Sequence, residues 1–270
     1  MSLNNASNTT TYLHKQVEDH LKQANQIADQ AREKSLQWFR TPLEVLTKLD
    51  DSPVTIADRE VEYVIRELIK KQFPEHGIWG EEHGQSDMEA EQIWVIDPID
   101  GTRSFISGSP LWGTLLANLY KNDAFIGLID IPFTSERWVG ARGTVTTYNG
   151  KECKTSQCVN VNDAVLLCTT PDIFTKPEME IFNRVSAQVR MRRFGGDCYA
   201  YGLLASGYAD IVIESELQPY DYMALIPVIE GAGGCITDWQ GNNLTLSSGT
   251  QVVASANRKL HNNVLKLINP

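Results

Sequence analysis

The hexapeptide Asp97-Pro98-Ile99-Asp100-Gly101-Thr102, set directly behind the apolar run Ile93-Trp94-Val95-Ile96, constrains this chain more than any other segment. A short apolar run closed by an acid and a proline reads as a buried strand that delivers Asp97 at its end. Proline restricts the turn and Asp100 follows three residues later, so two carboxylates converge with no helix between them. Two hard cations can share such a pair. Gly101 permits close backbone approach, and a helix opening behind it would present free N–H groups near Gly101 and Thr102 to a phosphate. An isolated D-P-x-D is most often a proline turn with two solvated aspartates. Acids elsewhere shift that balance: Glu81 follows a short apolar pair in Gly80-Glu81-Glu82, and Asp221 opens a helix after the extended segment Ile211 to Tyr220. A glutamate and three aspartates from separate segments supply what two-metal phosphate-ester hydrolysis requires. Mg²⁺ takes oxygen ligands, and paired ions about 3.5–4 Å apart hold both the attacking water and the leaving oxygen.

The remainder narrows the alternatives. The 24 Lys and Arg residues against 34 Asp and Glu give a formal charge of −10, which argues against holding nucleic acid by phosphate neutralisation. No apolar run approaches the roughly 20 residues that cross a bilayer, and the polar start Met1 to Lys15 has no apolar signal core, so a cytoplasmic protein without membrane attachment is expected. Five cysteines form no C-x-x-C pair and read as free thiols, and five histidines show no H-E-x-x-H, so a metal site here is built of oxygen. The phosphate-binding G-x-x-x-x-G-K-[ST] loop and the nucleophilic D-x-D of haloacid-dehalogenase phosphatases are absent.

Along the chain, Leu13, Val17, Leu21, Ala24, Ile27 and Ala31 predict a long amphipathic helix over 11–39. After the turn-forming stretch 49–53, an extended 54–57 leads to Asp58 at a helix N-cap, with Val61, Ile65, Leu68 and Ile69 on the buried face. Residues 93–97, 115–120 and 125–133 read as strands of an antiparallel sheet. From Val159 onward strands and helices alternate: strand 165–170, helix 177–188, strand 191–194, helix 199–206, strand 209–214, a helix from Asp221 to Gly231, then strands 235–238 and 252–256 and a terminal helix. The expected architecture is one compact unit with two sheet-containing halves, an α+β part over 1–156 and an α/β part over 157–270.

In order and spacing over nearly the whole chain, three signatures resemble those of the inositol monophosphatase superfamily. They are Gly80-Glu81-Glu82, the run from Trp94 to Thr102, and an acid opening a helix that ends in Glu230-Gly231-Ala232-Gly233-Gly234. The resemblance implies a layered αβαβα sandwich, a homodimer, and a magnesium-dependent phosphomonoesterase that uses metal-activated water with two or three ions. It implies that Glu81, Asp97, Asp100, Asp221 and the carbonyl of Ile99 ligate magnesium, with Glu81 also in the catalytic set. Thr102, paired with Asp58, then orients the attacking water, and Gly101 and Thr102 meet the phosphate. Asp197 is either the N-cap of the helix over 199–206 or a substrate-binding acid, and the resemblance places Glu214 on the substrate-facing wall. The basic run Arg190, Arg192, Arg193 is usually a solvated face, but one member can meet substrate or a partner subunit, and Arg193 is the candidate substrate contact.

Common members carry Trp-Asp-x-Ala-Ala-Gly at the last aspartate, where this chain reads Tyr220-Asp221-Tyr222-Met223-Ala224-Leu225. They also carry a small or hydroxyl residue where it reads Gly196-Asp197-Cys198. Both departures look closer to the histidinol-phosphate phosphatases of the superfamily, which implies a role in histidine biosynthesis. An inositol-phosphate or related sugar-phosphate phosphatase is the alternative substrate class. A catalytically silent metal- or ligand-binding regulator is the alternative of another kind, against which the retention of all four acids and Thr102 argues.

Overall fold

The computed structural model describes residues 3–42, 45–47 and 53–270, with side chains described from Val17 onward except those of Val45, Thr47, Pro53 and Val54. The first half runs α1 (Leu3–Trp38), β1 (Val45–Thr47), β2 (Pro53–Thr55), α2 (Ile56–Gln72), β3 (Gly77–Gly80), β4 (Gly84–Ser86), β5 (Gln92–Asp100), α3 (Thr102–Ser107), β6 (Gly113–Tyr120), β7 (Asp123–Ile131), β8 (Glu136–Ala141), β9 (Thr147–Tyr148) and β10 (Lys151–Glu152). The second runs β11 (Val165–Cys168), α4 (Lys176–Ser186), β12 (Met191–Phe194), α5 (Cys198–Ala205), β13 (Ile211–Glu214), α6 (Pro219–Tyr222), α7 (Leu225–Gly231), β14 (Cys235–Asp238), β15 (Val252–Ser255) and α8 (Arg258–Ile268).

One eight-stranded sheet has the order β10-β9-β8-β7-β6-β5-β3-β4 and is antiparallel throughout except for the parallel pair β3–β5. The second sheet has the order β12-β11-β13-β15-β14, with β11 parallel to both β12 and β13 because helical crossovers connect them. Both faces of the central strands are covered, which is why β5 and β6 read as nearly continuous apolar runs rather than alternating ones. Period-two geometry splits those runs. Trp94, Ile96 and Leu116 pack outward with Ala24, Ile27, Val61 and Ile65 of α1 and α2. Ile93, Val95, Leu115 and Ala117 pack inward with Tyr201, Leu204, Met223 and Val228 and with Val212 of the second sheet. A third cluster joins Ile211, Ile213 and Val253 to Phe182 of α4 and Leu260 and Val264 of α8. The layers are therefore helix, sheet, helix, sheet, helix: the αβαβα sandwich that the resemblance implied.

Three local expectations are corrected. Asp58 is not an N-cap: Thr55 caps α2, and Asp58 is its third residue, closing a capping box in which Thr55 N–H and Oγ1 donate to Asp58 Oδ2 at 2.8 and 2.6 Å. Extended backbone accordingly ends at Thr55 rather than Ala57. The helix predicted from Asp221 is two helices, α6 and α7, parted at Met223 and Ala224. Pro227 has no N–H to give the carbonyl four residues back, so the ladder breaks there. The side chain of Leu13 and most of the turn 49–53 lie outside the described residues.

Candidate active site

In a regular strand, residues three apart face opposite sides. Asp97 and Asp100 share a side because β5 is bulged: Asp97 pairs with Leu115 and Asp100 with Gly113, so Pro98 and Ile99 together oppose Thr114 alone. Each backbone group released by the bulge finds a partner. Thr114 Oγ1 donates to the Pro98 carbonyl at 2.9 Å, Ile99 N–H donates to Asp97 Oδ1 at 3.0 Å, and Thr102 Oγ1 lies 3.2 Å from the Ile99 carbonyl. Proline fits the remaining position because it has no N–H to lose.

The chain then turns at Gly101, whose φ of 81° favours glycine, into the single turn and a half of α3. A Cβ on Gly101 would also fall 2.8 Å from the Asp197 carboxyl carbon, so glycine is required twice. Thr102 Oγ1 stands 3.3 Å from Asp58 Oδ1, the oxygen that the capping box leaves open. The expected Thr102–Asp58 pair is thus formed across 44 residues of sequence.

Asp221 enters from the other half. It is held by its own capping box, Gln218 N–H donating to Oδ2 at 2.7 Å. The depth of this helix pair is set by Gly127 and Gly140, where an added Cβ would lie 2.0 and 2.3 Å from the carbonyls of Ala224 and Pro227. One carboxylate oxygen each from Asp97, Asp100 and Asp221 lies within 4.8 Å of the others, and Glu81, whose N–H donates to the Ile96 carbonyl at 3.2 Å, lines the same cleft. Burial, reinforced by Glu81, Asp100 and Asp221, pushes the Asp97 carboxyl well above the ordinary range. Burial and then Asp100 and Glu81 do the same to Asp221. Asp100 is pushed up to about 7 by burial and Asp197, against the Cys198 N–H that donates to its Oδ2 at 2.5 Å.

The cleft, about 460 Å³, has in its described lining seven carboxylates (Glu81, Asp100, Asp172, Asp197, Glu214, Glu216, Asp221) and one cation, Arg103. Acids packed this closely ionise together only if cations join them. An oxygen-only donor set of this kind fits hard divalent ions such as Mg²⁺ and offers nothing to softer metals.

Asp197 precedes α5 but makes no side-chain cap. Its carboxylate accepts from Ser104 Oγ at 2.9 Å, and its backbone is held at φ 45°, ψ −132°, costly for a residue with a Cβ. Burial raises its carboxyl. Glu214, 3% exposed, accepts from Thr169 N–H and Oγ1 at 2.7 and 2.6 Å, both through Oε1, and burial pushes it up to about 8. Both acids line the cleft. Arg193 does not: it sits exposed on the edge strand β12, paired with Leu167 and outside the described lining. Ser104 and Thr169, which orient Asp197 and Glu214, were not anticipated: one lies in a helix of six residues and the other in a bend after β11, both too short to leave a periodic signal by which to find them.

A convergent carboxylate nest beside a glycine turn and an α3 whose first N–H groups lack helical partners, seated at the seam of an αβαβα sandwich, defines a metal-dependent phosphatase. Residues 13–270 match the inositol monophosphatase family, and the chain belongs to it. It is 45% identical over 234 residues, 86% of this chain and 68% of the relative, to the bifunctional phosphatase IMPL2, chloroplastic, of Arabidopsis thaliana. It is 33% identical to the histidinol-phosphatase of Chlorobaculum parvum, covering 92% of this chain and 96% of the relative. Among solved structures, an inositol monophosphatase from Zymomonas mobilis is 39% identical with a TM-score of 0.86, covering 94% of this chain and 98% of that one. No helix among the described residues is long and apolar enough to cross a membrane.

Proposed function

We propose that this phosphatase hydrolyses histidinol phosphate to histidinol and phosphate, as a step of histidine biosynthesis. In this reading magnesium is held by Glu81, Asp97, Asp100, Asp221 and the Ile99 carbonyl, and the protein acts as a homodimer. The observation that carries the substrate is the pair Asp197 and Glu214, one half-buried and one buried acid in the wall of the cleft that also holds Asp100 and Thr102. Histidinol phosphate offers an ammonium and an imidazole N–H, which two carboxylates complement better than they do a neutral alcohol. Similarity to histidinol-phosphatases from Chlorobaculum parvum and Mycobacterium tuberculosis, each at 33% identity over more than nine-tenths of the chain, supports it.

Magnesium, when bound, supplies charge neutralisation and Lewis-acid activation of the water and of the phosphoryl group. Thr102 has one hydroxyl proton, and Asp58 Oδ1 and the Ile99 carbonyl both stand ready to take it. Its lone pairs therefore face outward to accept a hydrogen from an attacking water, and Asp58 fixes that polarity. The Gly101 turn and the first N–H groups of α3 receive the phosphate oxygens. Asp197 and Glu214 hold the leaving alcohol by its cationic end, so that binding energy remote from phosphorus orients the reacting bond.

The test is kcat/KM over a panel of histidinol phosphate, inositol 1-phosphate and fructose 1,6-bisphosphate with Mg²⁺, alongside sedimentation velocity for the dimer. Histidinol phosphate ranks first if the proposal holds. Inositol phosphate, the second reading, is supported by the 39% identity to the Zymomonas mobilis enzyme, and its ranking first would overturn the substrate assignment.

A further inference from the structure

Helix α2 buries three charged side chains at four-residue spacing: Asp58, Glu62 and Arg66. Asp58 meets Thr102. Glu62, fully buried, turns to the β3–β4 hairpin, in which Gly80 pairs with Gly84 and Glu81, Glu82 and His83 form the turn. Glu62 Oε2 accepts the Glu82 N–H at 2.6 Å, and Oε1 accepts the His83 N–H at 3.1 Å. These are the two residues that follow Glu81, and their N–H groups point away from the ladder. Arg66 Nε donates to Glu62 Oε1 at 2.6 Å, and its Nη2 donates to the Gly84 carbonyl. The carboxylate lies so close to the turn that a Cβ on Gly80 would fall 2.0 Å from Oε1. On the other side, the Glu81 N–H is tied to Ile96. The backbone around Glu81 is thus clamped from 80 to 84.

The geometry points to Glu62, braced by Arg66, as a positioning residue for Glu81: it aims that carboxylate at Asp97 and Asp100 and thereby sets the affinity of the site for divalent cations. The inference rests on the reading of Glu81 as a magnesium ligand. Partners that orient a ligand in this way change metal affinity by about 10- to 100-fold when removed.

Glu62→Gln is nearly isosteric but cannot keep the clamp. One of its two oxygens becomes an NH₂, which must face either the Glu82 N–H or the N–H groups of His83 and Arg66, donor against donor. Mn²⁺ binding, followed by the paramagnetic resonance of the free ion, should weaken by at least about tenfold. The Mg²⁺ concentration for half-maximal activity should rise in parallel, with kcat recovering as Mg²⁺ is raised. Arg66→Lys, which keeps the charge but loses the fork to Gly84, should give a smaller shift of the same sign and carries the test if Glu62→Gln does not fold. A clamp that served stability alone would lower Tm in chelator and leave the Mn²⁺ Kd of both variants at the wild-type value, which overturns the inference. Glu81→Gln separates the two claims. Wild-type Mn²⁺ affinity in that variant sinks the ligand assignment itself, whereas loss there with wild-type affinity in Glu62→Gln and Arg66→Lys sinks only the positioning role.

Discussion

Replacing Glu214 by glutamine separates substrate recognition from everything else this residue does. Both bonds from Thr169 arrive at Oε1, so the amide oxygen can accept them and the wall of the cleft keeps its shape. What changes is Oε2, which goes from an acceptor able to carry charge to an NH₂ donor facing a cationic leaving group. A charge-assisted hydrogen bond is worth about 1.5–3 kcal/mol, or roughly 10- to 150-fold in kcat/KM. The wild-type enzyme does not realise all of it at neutral pH. With the carboxyl pushed up to about 8, ionising it at pH 7.5 costs on the order of 1 kcal/mol, which brings the expected loss to roughly 2- to 30-fold for histidinol phosphate, rising toward the full range at pH 9. For inositol 1-phosphate, which has no cation to lose, the loss should stay under about threefold. The assay is steady-state kcat/KM for both substrates from pH 6.5 to 9. The ratio of wild type to variant on histidinol phosphate should grow with pH as the native carboxyl ionises without help. Equal losses on both substrates, or a ratio that shrinks with pH, would refute the reasoning and leave Glu214 a structural acid.

Chelation should abolish phosphatase activity and Mg²⁺ should restore it, since the donor set is oxygen only; undiminished turnover in excess chelator would contradict this. Thr102→Ala should lower kcat about 10²- to 10⁴-fold with little change in KM, and Asp58→Asn should add far less to it than it costs alone, because the two act as one relay. Full additivity in the double variant would break the pair. Burial raises the Asp100 and Glu214 carboxyls to about 7 and about 8, so the stability their protonated forms contribute is present below the ordinary range near 4 and lost as pH rises through 7 to 8. In chelator, Tm should therefore fall between pH 5.5 and 8.5, and Mg²⁺ should flatten the fall; a metal-free Tm that rises across that window would reverse the sign of the argument.

Much of the sandwich is legible because covered strands announce themselves. The runs 93–96 and 115–117 have no polar gap and so must be buried on both faces, and the second half alternates strand and helix at ordinary lengths. Strands β8 to β10 escaped because Glu136 and Arg137 open the first of them and the other two are only two residues long. At the site, the carboxylates were legible by type and spacing, but their convergence was assigned to a turn when a bulge produces it. Asp58 was legible as a helix-start acid, yet the T-x-x-D box written in Thr55 to Asp58 makes it the third residue and frees one of its oxygens for Thr102. Glu62 and Arg66 were invisible for a simpler reason. An i, i+4 Glu–Arg pair on an amphipathic helix reads as a solvated stripe, and only the fold reveals that this one faces inward.

The irregularity in β5 sets the sheet and the chemistry against each other. Deleting Ile99 would restore one-to-one pairing with β6 and return two residues to the ladder, a change the sheet by itself would welcome. The same deletion would leave the two aspartates on one face at a spacing of two, but it would remove the carbonyl that Thr102 leans on. The bulge lies just past the last pairing of β5 with β3, Gly80 to Ile96, so β6 is the strand that must bend with the extra residue. The length of this one segment is therefore a constraint of its own, beside the identity of the two aspartates it carries.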